Sequence, residues 1–208
     1  IDSAKIIIEK LIHLNIRKDN KLVAIGGGTI QDIVAFIASI LFRGIDWIFY
    51  PTTLLAQCDS CIGSKTSINF NNWKNLLGTY KPPLKIYIAD AFLYTLSISD
   101  IKSGIGEMLH YYFSNGIKLA EELAKKYDLI LENRKDLRYF IRKSLVIKKE
   151  VIELDEFDNN QRNLFNYGHT FGHAIEAITN YSIPHGQAIS IGMDLANFIS
   201  LNKNLLDK

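Results

Sequence analysis

Lys21-Leu22-Val23-Ala24-Ile25-Gly26-Gly27-Gly28-Thr29-Ile30-Gln31-Asp32 opens as a continuous apolar run of strand length and ends in a glycine-rich turn. Asp32–Leu41 then reads as a helix, and Trp47–Tyr50 and Lys85–Ala89 repeat the strand texture. Strand, glycine loop, helix, strand is the order that builds a parallel α/β sheet.

Beyond about residue 95 the short β-branched runs end and helical periodicity takes over. Ser99–Phe113 suits a helix with Ser99 as its N-cap. Leu137–Leu154 is long and amphipathic, with Leu137, Phe140, Ile141, Leu145, Ile147 and Val151 on or near one face. His169–Ile178 and Gly186–Leu201 read as two further helices joined by a loop over Tyr181–His185. The expectation is an α/β portion over residues 1–96 followed by an all-helical portion over residues 97–208.

Composition narrows the possibilities. The chain has 208 residues, with 24 Lys and Arg against 22 Asp and Glu, for a formal net charge of +2. Hydrophobic residues make up 48 % and charged residues 22 %, which excludes wholesale disorder. Near-cancelling charge gives no reason to expect a nucleic-acid partner. Two cysteines build no disulfide framework, so a reducing compartment is expected. The apolar stretch from Ile33 to Phe42 falls short of the roughly 20 residues that span a bilayer. No signal peptide opens the chain, so a soluble, cytoplasmic protein without a membrane partner is expected. The first residue is Ile1, as in an excerpt of a longer polypeptide.

Four groups of residues carry chemistry. The turn Gly26–Asp32 follows a strand and opens a helix, so its glycines permit close approach of a phosphate to the helix N-terminus. A tight turn needing glycine for its own sake explains the same residues. Thr52 and Thr53 end the next strand, on the carboxyl edge where α/β proteins bind ligands.

Asn166-Tyr167-Gly168-His169-Thr170-Phe171-Gly172-His173 places two histidines at i and i+4, on one helical face. His185 follows twelve residues later, so three of the five histidines fall within seventeen residues. That clustering suits a metal site, since catalytic zinc takes three N/O ligands and keeps one position open. Glu107 lies amid Ile105, Met108 and Leu109, and a buried acid there needs a partner, of which a metal would be one. Glu107 and His110 at i, i+3 match half of a di-iron motif; the second half is missing, which removes that reading.

Lys65, Lys74, Asn75, Lys148, Arg162 and Asn166 would suit a small anionic substrate bearing phosphate and carboxylate. Each taken alone also fits a surface position. Cys58-Asp59-Ser60-Cys61 lacks the helix-start setting of a redox pair and reads as two small buried residues.

Taken together these motifs resemble the 3-dehydroquinate synthase family of sugar phosphate cyclases. The resemblance runs from about Leu22 to the end. It rests on Gly26-Gly27-Gly28-x-x-x-Asp32, Arg43-Gly44-Ile45, Pro51-Thr52-Thr53-Leu54-Leu55-Ala56-Gln57-x-Asp59-Ser60, Lys65-Thr66-x-x-Asn69 and Lys74-Asn75-Leu76-x-Gly78. Further on it includes Ser103-Gly104-x-x-Glu107, the run from Arg162 through Ala174, and His185-Gly186.

The fold this implies is a Rossmann-like parallel sheet portion plus a helical metal-binding domain, of the dehydroquinate synthase-like type. The activity implied is an NAD- and metal-dependent lyase that eliminates phosphate from a seven-carbon keto-acid sugar phosphate and closes the ring to 3-dehydroquinate, in the shikimate pathway. Carried over residue by residue, Glu107, His169 and His185 would hold zinc (or cobalt). His173 would sit beside the leaving phosphate, and Lys65, Asn75 and Asn166 would face the substrate. Lys148 and Arg162 would bind its carboxylate, and Asp59 its ring hydroxyls. NAD would meet Gly28, Thr29, Ile30, Gln31, Asp32, Thr52, Thr53, Lys65, Lys74, Phe92 and Thr95. Arg43 would reach a neighbouring subunit's site, which implies a homodimer.

The chain departs from the family pattern at His110, where a lysine is usual, at Ser64, where a glycine is usual, and at Asp158, where a longer acid is typical. A protonated His110 would restore the missing charge, with activity rising as pH falls through about 6.5. The family's N-terminal strands and a C-terminal substrate lysine have no counterpart in these residues, so weak NAD binding by this chain alone is expected. A related cyclase acting on another sugar phosphate is the main alternative. A metal-dependent polyol dehydrogenase and a non-catalytic metal-binding paralogue stand further off.

Overall fold

A computed structural model describes the chain apart from residues 72, 157–160 and 206–208 and the side chains of residues 74 and 161–163. The chain divides into two compact units, one of residues 1–52 and 60–89 and the other of residues 53–59 and 90–208.

In the first unit the elements run α1 (Asp2–His13), β1 (Lys21–Gly26), α2 (Gly28–Ile40), β2 (Asp46–Pro51), β3 (Lys65–Phe70), β4 (Trp73–Tyr80) and β5 (Lys85–Ile86). The strands β1, β2 and β5 form a parallel sheet in the order β1-β2-β5. Its register pairs Lys21 with Asp46 and Gly26 with Pro51 across β1 and β2, and Ile48 with Lys85 across β2 and β5. Helix α2 is the crossover from β1 to β2, which parallel strands require. Phe36 and Ile37 of α2 form a core with Ala4 of α1 and Ile68 of β3. Val23 and Ile25 on β1 are 54 % and 60 % exposed, so the apolar run of that strand is buried on one face only.

The antiparallel pair β3–β4 carries no hydrophobic run that would announce it. Thr66 and Ile68 are buried at alternate positions of β3, but Ser67, Asn69, Asn71 and Asn75 make the segment read as loop. Tertiary packing overrides that local preference.

The second unit is helical: α3 (Ile98–Ser114), α4 (Lys118–Asn133), α5 (Leu137–Leu154), α6 (His169–Ile178) and α7 (His185–Asn202). Helix α4 goes unassigned by the sequence reading, though its buried Ala120, Leu123 and Ile130 follow a helical stripe. Helix α3 begins two residues earlier than expected, with Ser97 and not Ser99 as its cap. The Ser97 hydroxyl accepts from the Asp100 N–H at 3.1 Å and donates to the Asp100 carboxylate at 2.7 Å, a reciprocal capping pair spaced i, i+3.

The second core packs Leu54, Leu93, Met108, Tyr112, Phe140 and Leu137 with their neighbours. Among the described residues no helix is long and apolar enough to cross a membrane.

Candidate metal centre

Glycines decide how close the ligand-bearing helices come. A Cβ at Gly186, the second residue of α7, would lie 1.8 Å from the Ser103 carbonyl oxygen of α3. A Cβ at Gly106 on α3 would lie 2.1 Å from the Gly186 carbonyl oxygen. Backbone therefore meets backbone, and the chain neighbours of these glycines, Glu107 and His185, are carried together. Gly168 caps α6 at φ 79°, in the left-handed region, and it launches the helix with His169 first.

The donor atoms of Glu107, His169 and His185 all lie within 4.8 Å of one another. His185 Nε2 is 3.5 Å from Glu107 Oε2, and His169 Nε2 is 3.9 Å from Glu107 Oε1. Tetrahedral zinc with bonds of about 2.0–2.2 Å separates its ligand atoms by roughly 3.3–3.5 Å. The two imidazole–carboxylate spacings lie within about half an ångström of that.

Three further features fit a cation. Glu107 Oε2 is buried and has no hydrogen-bond partner, an arrangement that costs free energy unless something positive meets it. Burial, and next the Asp59 charge, push the Glu107 carboxyl well above the usual carboxylate range; a divalent ion reverses that preference. Both imidazoles also aim the correct nitrogen. His169 Nδ1 is 3.3 Å from the Tyr167 carbonyl, which can only accept, so the proton sits on Nδ1 and the Nε2 lone pair is available. Burial, with His185 and His173 nearby, holds the His169 pKa down at about 4, against the opposing pull of that carbonyl.

A polar network adjoins the three ligands in the same unit. Asp59 closes a π-helical turn over Ala56–Ser60, a form frequent at functional sites. Lys148 Nζ from α5 donates to the Asp59 carboxylate at 2.6 Å and to its carbonyl at 2.8 Å. The Tyr111 hydroxyl donates to the same carboxylate. Burial alone would raise the Asp59 pKa, but the Lys148 ammonium outweighs it and the carboxyl is held below its ordinary value. Lys148 is 5 % exposed, a depth at which a cation needs such a partner.

His110 departs from the sequence-based expectation. Its ring is buried, with Nδ1 2.8 Å from the Glu107 carbonyl. Burial, then the neighbouring His169, push its pKa down to about 4. The ring is neutral through the physiological range, so it does not replace a lysine's charge, and no rise in activity as pH falls through 6.5 follows from it.

His173 stands exposed beside the cluster, with ring centroids 5.5 Å from His169 and 5.7 Å from His185. Asn166 is exposed, and with Leu109, Phe113, Tyr167 and Met193 it lines a cavity of about 830 Å³. Also in this unit, Thr53 Oγ1 accepts from the Ala56 N–H at 3.2 Å, and Thr95 Oγ1 donates to the Phe92 carbonyl at 3.1 Å. Cys58 and Cys61 are buried thiols.

In the first unit, Gly28, Thr29, Ile30, Gln31 and Asp32 form the opening turns of α2 after Gly27 as N-cap, and Thr52 follows β2 with its N–H donating to the Gly26 carbonyl at 2.9 Å. Thr29, Asp32, Ser67, Asn69 and Asn75 share a cavity of about 370 Å³. Burial pushes Asp32 up to about 6. The Gln31 amide is committed to Ser60, donating to its carbonyl at 2.5 Å and accepting from its hydroxyl at 2.7 Å, so the side chain ties the start of α2 to the end of the π-helical turn. Lys65 is exposed at the start of β3, and Arg43 is exposed at φ 62° after α2. The side chains of Lys74 and Arg162, and residue Asp158, lie outside the described residues.

Sequence reasoning missed two members of the helical cluster. Tyr111 is i+4 from Glu107. Glu176 is i+7 from His169 and i+3 from His173, so helical spacing alone puts it on the histidine face.

Solved structures share this fold. The structure described as ValA (2-epi-5-epi-valiolone synthase) from Streptomyces hygroscopicus subsp. jinggangensis 5008, with NAD+ and Zn2+ bound, is 26 % identical with a TM-score of 0.92 over 100 % of this chain and 59 % of its own. A 2-deoxy-scyllo-inosose synthase complexed with carbaglucose-6-phosphate, NAD+ and Co2+ is 29 % identical with a TM-score of 0.87, covering 100 % of this chain and 57 % of its own. Parallel sheet, helical unit and converging Glu-His-His donors define a chain with the architecture of the sugar phosphate cyclases. More narrowly, the chain belongs to the 3-dehydroquinate synthase family: residues 1–103 match 3-dehydroquinate synthase N-terminal and residues 104–208 match 3-dehydroquinate synthase C-terminal. The match includes α1, which the sequence reading left outside the resemblance. A 3-dehydroquinate synthase of Thermoanaerobacter pseudethanolicus (strain ATCC 33223 / 39E) is 39 % identical over 210 residues, covering 100 % of this chain. The chain spans 59 % of that relative's length.

Proposed function

We propose that the chain is part of a 3-dehydroquinate synthase, a phosphate-eliminating carbon–oxygen lyase that converts a seven-carbon keto-acid sugar phosphate to 3-dehydroquinate with NAD and a zinc or cobalt ion. The observation that carries this reading is the convergence of Glu107, His169 and His185 on one point, within a chain of this family. The solved cyclases that resemble it contain NAD+ with Zn2+ or Co2+. When bound, the nicotinamide would supply reversible hydride acceptance and the cation would polarise substrate hydroxyls.

The chain's own residues then have distinct tasks. Glu107, His169 and His185 hold the cation, leaving a position open to the substrate. Lys148 has three N–H donors, of which Asp59 takes two; the third binds the substrate carboxylate together with Arg162, while Asp59 contacts ring hydroxyls. His173, exposed beside the ligands, donates to the departing phosphate. Lys65, Asn75 and Asn166 position the substrate. NAD rests on residues 28–32 with Thr52, Thr53, Lys65, Lys74, Phe92 and Thr95. Residues 1–96 serve as the NAD-binding portion and residues 97–208 as the metal- and substrate-binding portion. Arg43 reaches a second subunit in a homodimer, and the pathway is aromatic amino acid biosynthesis in the cytoplasm.

A second reading, a cyclase acting on a sugar phosphate without a carboxylate, is favoured by the TM-score of 0.92 to the valiolone synthase. One assay separates the two. Full-length protein with NAD and zinc is given the seven-carbon keto-acid phosphate, and phosphate and 3-dehydroquinate are measured. Equimolar release of both without net NADH is expected. Absence of phosphate release with that substrate, alongside turnover of a sugar phosphate lacking the carboxylate, would establish the second reading. Net NADH from a simple alcohol would replace both with a dehydrogenase.

A further inference from the structure

Glu176 is a carboxylic acid 5 % exposed on α6, a burial that needs a compensating partner. Its Oε1 lies 3.0 Å from His185 Nδ1. A carboxylate only accepts, so that contact places the ring proton on Nδ1 and leaves the lone pair on Nε2. Nε2 is the atom that lies 3.5 Å from Glu107 Oε2. The opposite tautomer would set an N–H against the Glu107 carboxylate and a lone pair against Glu176.

The other imidazole ligand shows the weaker form of the same device. His169 Nδ1 faces a neutral carbonyl, that of Tyr167, at 3.3 Å, whereas His185 faces a charged group at shorter range. A carboxylate behind a ligating histidine fixes the ring and raises its basicity. It also brings a second negative charge beside the Glu107 carboxylate.

Helix α6 offers a competing arrangement, because donor atoms of His173, Glu176 and His185 also lie within 4.8 Å of one another. A cation there would have to displace the Nδ1 proton and claim the imidazole that completes the first trio. The hydrogen-bond length between Nδ1 and Oε1 favours orientation over ligation. We infer that Glu176 is a positioning residue that locks His185 in the Nδ1–H tautomer and so presents Nε2 to a divalent cation. This inference rests on the cation site proposed above.

The first measurement needs no metal and no variant. Long-range ¹H–¹⁵N NMR of metal-free, full-length protein is expected to show His185 protonated on Nδ1; an Nε2–H ring would overturn the inference. The second is zinc affinity by chelator competition, with thermal unfolding as the control for folding. Glu176→Gln, nearly isosteric, is expected to bind zinc 10–100-fold more weakly with an unchanged Tm. His169→Ala separates the two readings. Full zinc occupancy in His169→Ala removes the metal centre itself. Zinc loss in His169→Ala with wild-type affinity in Glu176→Gln removes only the role of Glu176. Two zinc equivalents in the wild type, one of them lost in Glu176→Gln, would make Glu176 a ligand and overturn the positioning role.

Discussion

The two units of this chain assemble their candidate residues in opposite ways. In the first, residues expected to meet a nucleotide sit where local elements join: Gly28 to Asp32 open one helix, and Thr52 directly follows one strand. In the second, Glu107, Asp59, Lys148, His169 and His185 come from α3, a π-helical turn, α5, α6 and α7, and they interact through buried and half-buried side chains. The first unit is a local device built of turns and helix ends. The second is a tertiary device that exists only when five segments pack. Damage should therefore stay local in the first unit and spread in the second.

The harshest test of this contrast is Gly186→Ala. A methyl 1.8 Å from the Ser103 carbonyl meets backbone that cannot swing aside, so α3 and α7 must part. The expected cost is more than about 4 kcal/mol, and zinc binding should be lost along with it. A melting curve within two degrees of wild type, with zinc retained, would show that the helices have slack.

Lys148→Met comes next. It keeps the volume but leaves Asp59 buried without its counter-ion, a change that typically costs about 3–5 kcal/mol. The pair has a defined pH signature. The folded pKa of Asp59 is depressed, so the pair's contribution is complete above the unfolded value of roughly 4 and fades as pH falls through the lower folded value. Urea unfolding of wild type and variant should accordingly converge only in strong acid. A constant difference down to the most acidic conditions would assign the effect to packing instead.

The smallest effect is placed in the first unit. Asp32 has its pKa raised to about 6, so the sign reverses: ionisation costs the folded state, and stability drops as pH rises from about 4 through 6. The shift corresponds to roughly 3 kcal/mol at most, reduced to about 1–2 by solvent screening of a partly exposed group. Asp32→Asn should raise the Tm at pH 8, have little effect at pH 4, and leave zinc affinity in the other unit untouched. Zinc loss in this variant would erase the contrast between local and tertiary devices.

Legibility in the sequence followed the same division. The strand, turn and helix around Gly26–Asp32 were readable because each obeys a rule of local backbone, namely an apolar run, glycine at the turn and a helical period. The histidine pair was readable because i, i+4 spacing fixes a shared face whatever surrounds it. The β3–β4 hairpin was not, since short strands mixing Lys, Ser, Thr and Asn with a few apolar residues hide their alternation until packing selects it. Glu176 lay open to the same helical arithmetic as His173, and its chemistry became evident only beside His185 Nδ1. His110 was legible as a group mostly neutral at pH 7 that protonation could charge, and only its burial shows that the ring stays neutral down to about pH 4.

The sequence by itself determined the succession of an α/β portion and a helical portion, the donor types and the family, because those depend on which residues follow which over a few turns of chain. Only the tertiary structure decided which donors converge, which nitrogen of each imidazole faces the convergence, and which charges are neutralised. Those properties depend on distance and dielectric between segments far apart in the chain, as with Asp59 and Lys148, 89 residues apart. Glycine contacts between helices set such distances in the helical unit.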